Sequence, residues 1–179
     1  MLAQHVDAQD GVVLAPLRVE DVTDTYVNWL NDPVVTRFTE VQPGNNTRDS
    51  VTAYVRQSLA SADSAMWRVV VDGDVHVGNI RLSAIRWKHH RAEVALLIGS
   101  RTHWGKGIAT RAIRSLSGYA LGPMRLHKVV AGILIANVAS RRAFEKAGYV
   151  LEARLRDQAF FEGAFCDSLL MSRLADTQG

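Results

Sequence analysis

The stretch that most constrains this chain is His103-Trp-Gly-Lys-Gly-Ile-Ala109, because the sequence changes period across it. An apolar run, Val94 to Ile98, comes before it. Helical spacing comes after it, with Ile108, Ala112, Leu116 and Tyr119 or Ala120 on one face. Strand, glycine loop and helix in that order bring free N–H groups and the positive end of a helix dipole to one place, which suits a phosphate or pyrophosphate. Gly105 and Gly107 permit the close backbone approach such a ligand needs. A plain strand-to-helix turn would use the same residues. Two familiar phosphate loops do not fit. A P-loop requires Ser or Thr after Gly-Lys, and here Gly107 follows Lys106; a dinucleotide fingerprint requires a third small residue where Thr110 and Arg111 stand.

A second block follows another apolar run, Val129 to Ala136. It reads Asn137-Val-Ala-Ser140-Arg-Arg142-Ala-Phe144-Glu-Lys146-Ala-Gly148-Tyr149. Together with the first block, and with Trp29-Leu-Asn-Asp-Pro33 and Gly78-Asn-Ile-Arg-Leu82, it resembles the GNAT superfamily of acyl-CoA-dependent N-acyltransferases. More narrowly, it is similar to the branch holding ribosomal-protein N-terminal and amino-sugar acetyltransferases. The resemblance covers nearly the whole chain. It implies an α/β fold of the mixed (α+β) kind: a central, mostly antiparallel sheet with one splayed strand pair and helices on both faces.

The rest of the sequence agrees with that order. No repeat, low-complexity tract or linker interrupts the 179 residues, so residues 1–179 are expected to form one domain. Val22, Tyr26, Trp29 and Leu30 share a helical face that Asp32-Pro33 closes. Thr47 reads as an N-cap before a helix carrying Val51, Tyr54, Val55 and Leu59 inward. From Met66 the period becomes two, and Asp72-Gly73 reads as a hairpin turn leading to Val75, Val77 and Ile80. Strands are expected at Arg91 to Ile98 and His127 to Ile135, a helix from Ala139 to Ala147 that stops at Gly148, and two final strands joined near Glu162-Gly163.

Composition removes several function classes. A formal net charge of +3 permits an anionic substrate or cofactor, but no basic run marks a nucleic-acid surface. Cys166 stands alone, which excludes an internal disulfide and a cysteine-built zinc site, and no His, Cys, Asp or Glu cluster has metal-site spacing. Met1 to Asp10 lacks the basic and apolar regions of a secretory leader, and no apolar run approaches the roughly 18–20 residues a bilayer requires. The expectation is a cytoplasmic protein without a membrane partner.

The resemblance assigns roles to particular residues. Acetyl-CoA would serve as co-substrate, with no metal. Its pantetheine arm would lie between Val94–Gly99 and His127–Ile135, bonded by the backbone of Leu97, Ile98 and Gly99, one N–H of which would face the thioester oxygen. Backbone amides from His103, Trp104, Gly105, Lys106, Gly107, Ile108 and Ala109 would hold the phosphates. Asn137 either caps a helix or bonds the pantetheine. Arg142 and Lys146 reach the 3′-phosphate of CoA or form a solvated pair. Many relatives carry Tyr where Phe144 stands, to protonate the departing thiolate; Phe cannot, which moves the candidate acid to Ser140 or to a water. Glu93 is the first candidate base, an acid in an apolar strand whose burial would raise its pKa, or else a partner for Arg91 or a neighbouring Arg. His89 is the second. His76, His103 and His127 read as surface or turn residues. Trp29, Arg37 and Trp87 are candidates for the acceptor side. The implied activity is acetyl transfer to a primary amine of a small molecule, an amino sugar or nucleotide-linked amino sugar. The alternatives are a protein or peptide N-terminus as acceptor and a non-catalytic acyl-CoA-binding module. A homodimer is compatible with the resemblance.

Overall fold

Local chemistry sets most element boundaries in the computed structural model, which describes residues 3–7 and 11–176. Residues 1–2 and 8–10, part of the opening stretch read for a leader, lie outside the described residues. The strands are β1 (Val6–Asp7), β2 (Val12–Pro16), β3 (Ala65–Val71), β4 (Val75–Arg86), β5 (Arg91–Ile98), β6 (Lys128–Leu134), β7 (Val150–Phe161) and β8 (Ala164–Leu174). The helices are α1 (Asp24–Asn31), α2 (Pro33–Thr36), α3 (Arg48–Ala60), α4 (Ile108–Leu121) and α5 (Val138–Lys146). All eight strands join one sheet in the order β1-β2-β3-β4-β5-β6-β8-β7. Every neighbouring pair is antiparallel except β5–β6.

Two cores flank the sheet. On one face α4 and α5 cover Trp67, Val69, Ile80, Leu82, Val94 and Val129, with Ala112, Ile113, Leu116 and Phe144 pointing in. On the other, α1 to α3 bury Tyr26, Trp29, Leu30, Val35, Val51 and Val55 against Met66. Caps fix the entries. Thr23 Oγ1 accepts the Tyr26 N–H at 3.3 Å, and Thr47 and Ser50 exchange side-chain and backbone bonds at 3.0 and 3.1 Å. Turns fix the hairpins. Asp72 and Gly73 sit at φ 50° and 89°, and Glu162 and Gly163 at 50° and 87°, the paired positive values that two-residue hairpins favour.

The fold departs from the sequence expectation in five places. Strands β1 and β2 were not expected, and β4 runs six residues past Ile80 to Arg86. Pro33 does not merely end α1. Asp32 caps α1 and then accepts the Val34 N–H at 2.8 Å, so Pro33 begins a second short helix at a first-turn position it tolerates. Tyr54 and Leu59 are exposed at 42% and 38%, because only a narrow stripe of α3, Val51 and Val55, meets the sheet.

Candidate active site

Strand β5 is paired with β4 along its length, from Arg91 opposite Arg86 to Ile98 opposite Gly78. Its other edge meets β6 at only three residues, Arg91, Ala92 and Glu93, opposite Lys128, Val129 and Val130. Beyond them β6 continues in register with β8 to Leu134. From Val94 and Ala131 onward, therefore, the facing edges of β5 and β6 diverge, and their N–H and C=O groups lack ladder partners. The gap opens from Glu93 toward the glycine loop, about 16 Å along β5 at ~3.3 Å per residue.

On its other side the end of β5 is closely packed. An added Cβ at Gly99 would stand 2.0 Å from the Trp29 indole, and one at Gly78 would stand 2.2 Å from the Leu97 carbonyl oxygen. Only glycine lets α1 and β4 come this close to the end of β5. Trp29 is thus a buried wedge, 8% exposed, rather than a wall of the acceptor site. His76, expected at the surface, is half-buried against it with ring centroids 5.1 Å apart. Its Nε2 lies 3.0 Å from both Gly78 O and Asn79 Oδ1, so it donates to them, and burial lowers its pKa below the usual histidine value.

At the open end, a single 3-10 turn (residues 101–103) leads into the glycine loop. Gly105 and Gly107 take φ 76° and 73°, and Gly107 is the residue that caps α4, without a side chain to do so. The N–H groups of His103 and Trp104 bond back to Ser100 O and Arg101 O, and Arg111 N–H reaches Gly107 O at 3.1 Å. Between them, the N–H groups from Gly105 to Thr110 meet no protein acceptor among the described residues. His103 Nδ1 and Ser100 Oγ, 2.7 Å apart, brace the turn. Trp104 Nε1 donates to Ile98 O at 2.7 Å, which uses one lone pair of that carbonyl and leaves the other for a ligand. Arg111 adds positive charge under the loop: one guanidinium nitrogen would lie 3.8 Å from a Cβ on Gly107, and its buried Nε has no hydrogen-bond partner. A row of free donors beside a half-buried guanidinium whose Nε has no partner fits the phosphates of an acyl-CoA.

Helix α5 starts at the end of β6, across the gap from α4. Asn137 Oδ1 accepts the Ser140 N–H at 3.1 Å, so its oxygen caps the helix and its amide N–H₂ remains for another partner. Ser140 is half-buried, and its hydroxyl makes no hydrogen bond among the described residues. One turn on, Phe144 is 3% exposed and meets Tyr149 edge to face at 4.9 Å. That contact accompanies a Schellman end in which Tyr149 N–H bonds Phe144 O and Gly148 N–H bonds Glu145 O, both at 3.0 Å. The Tyr149 hydroxyl points to Ser117 Oγ on α4 at 2.8 Å, and burial pushes its pKa up to about 12. Neither aromatic offers a proton donor to the gap. Arg142 and Lys146 are both exposed, while Arg114 from α4 takes the Lys146 carbonyl at 2.6 Å.

The third part lies on the sheet face opposite α4. Glu93 stands at the closed end of the gap beside Ser83 and Val130. It is exposed, contrary to the burial expected of it: the strand alternates, and Ala92 and Val94 take the buried positions. No cation lies within ion-pair distance of it among the described residues, so the expected pairing with Arg91 is absent as well. His89 and Trp87 are exposed on the 3-10 turn just before β5 (residues 87–89), with Trp87 Nε1 donating to Ala62 O at 3.3 Å. Arg37 lies elsewhere on this side. It pairs with Glu162 at 2.8 Å and covers Phe38 and Phe161, which stack at 5.3 Å, so it ties α2 to the β7–β8 turn. Strand β7 carries a bulge before that turn. Three residues of β7, Arg156 to Gln158, oppose Asp167 alone; Asp167 accepts from the Asp157 N–H at 3.0 Å and pairs with Arg154. The sequence reading gave no role to Arg81 or Arg111, and placed a turn at Glu162-Gly163 without expecting Glu162 to pair with Arg37. Arg81 carried a readable signal, a charge inside an apolar strand on the same alternation as Glu93.

Residues 12–150 match the family described as the acetyltransferase (GNAT) domain. An uncharacterized N-acetyltransferase p20 of Bacillus licheniformis is 26% identical over 92% of this chain and 93% of its own length. The spermidine N(1)-acetyltransferase of Escherichia coli (strain K12) is 28% identical over 90% of this chain and 84% of its own. Among solved structures, the spermidine N-acetyltransferase of Vibrio cholerae in complex with CoA and spermine superposes with a TM-score of 0.84 at 22% identity, covering 92% of this chain and 96% of that one. The family match across most of the chain makes this protein an acyltransferase of the GNAT acetyltransferase family.

Proposed function

We propose that this acetyltransferase moves the acetyl group of acetyl-CoA to the primary amine of a small molecule, an amino sugar or nucleotide-linked amino sugar, by direct attack within a ternary complex. One observation carries the reading: the β5–β6 ladder stops after three residue pairs, leaving an unpaired backbone slot with a phosphate cradle at its open end and a free carboxylate at its closed end. With phosphates against Gly105 to Thr110, the pantetheine lies along the unpaired edge of β5. Its amides satisfy backbone groups that the sheet leaves free. The acetyl end then falls near Glu93, and the oxyanion donor is an N–H of the unpaired edge between Val94 and Gly99.

Glu93, exposed and without a partner, takes the proton of an incoming ammonium directly or through one water. The amine nitrogen attacks the thioester carbon, the C–N bond forms, the C–S bond breaks, and the CoA sulfur leaves. A thiolate with an intrinsic pKa of about 8.5 leaves readily near neutral pH, so Ser140 or a water held near it suffices as proton donor. Holding both reactants in line supplies much of the rate. The sugar acceptor rests on the likeness of residues 78–93 to that branch. Calorimetry with CoA and acetyl-CoA, followed by CoA release with a panel of amines, tests the reading. No heat at millimolar ligand would overturn it.

A further inference from the structure

Glu93 is not the sole unpaired charge on the acceptor face. Arg81, two residues from Ser83 on β4, sits opposite Ala95, and Ser83 sits opposite Glu93. Arg81 and Glu93 are therefore diagonal neighbours on the same face of the sheet, about 7–8 Å apart at their Cα atoms. Arg81 is half-buried, and its guanidinium donates to the Tyr54 hydroxyl at 2.6 Å, leaning toward α3 and away from the gap. Neither Arg81 nor Glu93 has an oppositely charged side chain within ion-pair distance among the described residues. The one side-chain acceptor that the guanidinium meets is a neutral hydroxyl, so its other donors stay open to solvent and to an anion, which would bind them more strongly than water does.

We infer that the acceptor carries an anionic group, phosphate or carboxylate, beside its amine, and that Arg81 binds that group while Glu93 receives the ammonium. The inference rests on the reading of this chain as an amine acetyltransferase and narrows its substrate class. Opposite charges at two points fix the acceptor's direction across the strands and place its amine at the closed end of the gap. The same pair acts against a polycation. A polyamine reaching past Glu93 brings its second ammonium toward Arg81, and like charges in partly desolvated surroundings repel. Tyr54, which is 42% exposed and whose hydroxyl accepts from Arg81, forms the rim above the anion position.

The test compares kcat/KM for D-glucosamine, D-glucosamine 6-phosphate and spermidine at low and high salt, in the wild type and in Arg81→Gln, Arg81→Lys and Arg81→Glu. Wild type should favour the phosphate ester over the neutral sugar at least tenfold, with spermidine poorest, and salt should shrink the preference. Arg81→Gln should abolish the preference mainly through KM, Arg81→Lys should restore part of it, and Arg81→Glu should turn it toward spermidine. Melting temperatures and CoA affinity, followed in parallel, separate loss of fold from loss of selectivity. A wild type that prefers spermidine, or a phosphate preference that survives in Arg81→Gln, overturns the inference while leaving acetyl transfer intact. Absence of CoA release with every amine removes the underlying reading, and this inference with it.

Discussion

Replacing Gly107 by Val separates the cost of a strained turn from the loss of a phosphate cradle. Gly107 sits at φ 73°, and a Cβ there would meet only an Arg111 nitrogen, at 3.8 Å, so the site has room for a side chain but not the right backbone. Left-handed geometry costs an L-residue about 1–2 kcal/mol. In a domain of this size that lowers Tm by roughly 2–8 °C. Gly73, in the β3–β4 turn, is a matched control: its φ is 89°, and an added Cβ would meet nothing within 4 Å. Gly73→Val should lose a similar amount of stability. CoA distinguishes the two. A Val side chain at position 107 would crowd the free N–H row, and losing one hydrogen bond to a charged phosphate costs about 1.5–3 kcal/mol, a rise in Kd of roughly 10- to 150-fold. Calorimetry with CoA, at a temperature where both variants remain folded, reads that difference. Equal CoA affinity in Gly107→Val and Gly73→Val would refute the cradle, whatever happens to Tm.

The sequence made the βα halves of the site legible because each is local. A glycine loop between a strand period and a helix period needs no tertiary information, and the same holds for Asn137 at the start of α5 and Gly148 at its end. What it hid was relational. The burial expected of Glu93 came from the apolar residues around it, but alternation buries Ala92 and Val94 and turns Glu93 outward. Trp29 could be weighed as wall or core from its helical spacing; its closeness to Gly99 is a tertiary fact that made it core. Arg37 looked like a ligand for the acceptor, yet its carboxylate, Glu162, lies 125 residues away in sequence, and only the tertiary fold brings the two together. Strand β2 was missed because its five residues, Val12 to Pro16, are too few to separate period two from a short apolar run.

Three further outcomes follow from the same geometry. Burial raises the Tyr26 and Tyr149 pKa values from 10.0 to about 12, so each phenol contributes about 2–3 kcal/mol that is intact below pH ~10 and lost as pH climbs toward 12. Denaturant titrations across that window should show a steep alkaline fall in stability that is shallower in Tyr149→Phe; an unchanged slope would mean the phenol ionises without unfolding the core. Ser140→Ala should lower kcat more than it raises KM for acetyl-CoA if the free hydroxyl steadies the departing thiolate, and unchanged turnover would leave water in that role. Glu93→Gln decides most about catalysis. Glu93 is exposed and makes no ion pair among the described residues, so the change should move stability by no more than about 0.5 kcal/mol. It keeps the shape of the side chain but cannot accept the amine's proton, and kcat should fall on the order of 10²-fold with acetyl-CoA affinity nearly unchanged. The deficit should shrink as pH rises toward the amine's own pKa, because free amine then needs no base. A ratio of wild-type to variant rates that stays flat across pH would remove Glu93 as the base and leave it a role in binding the ammonium alone.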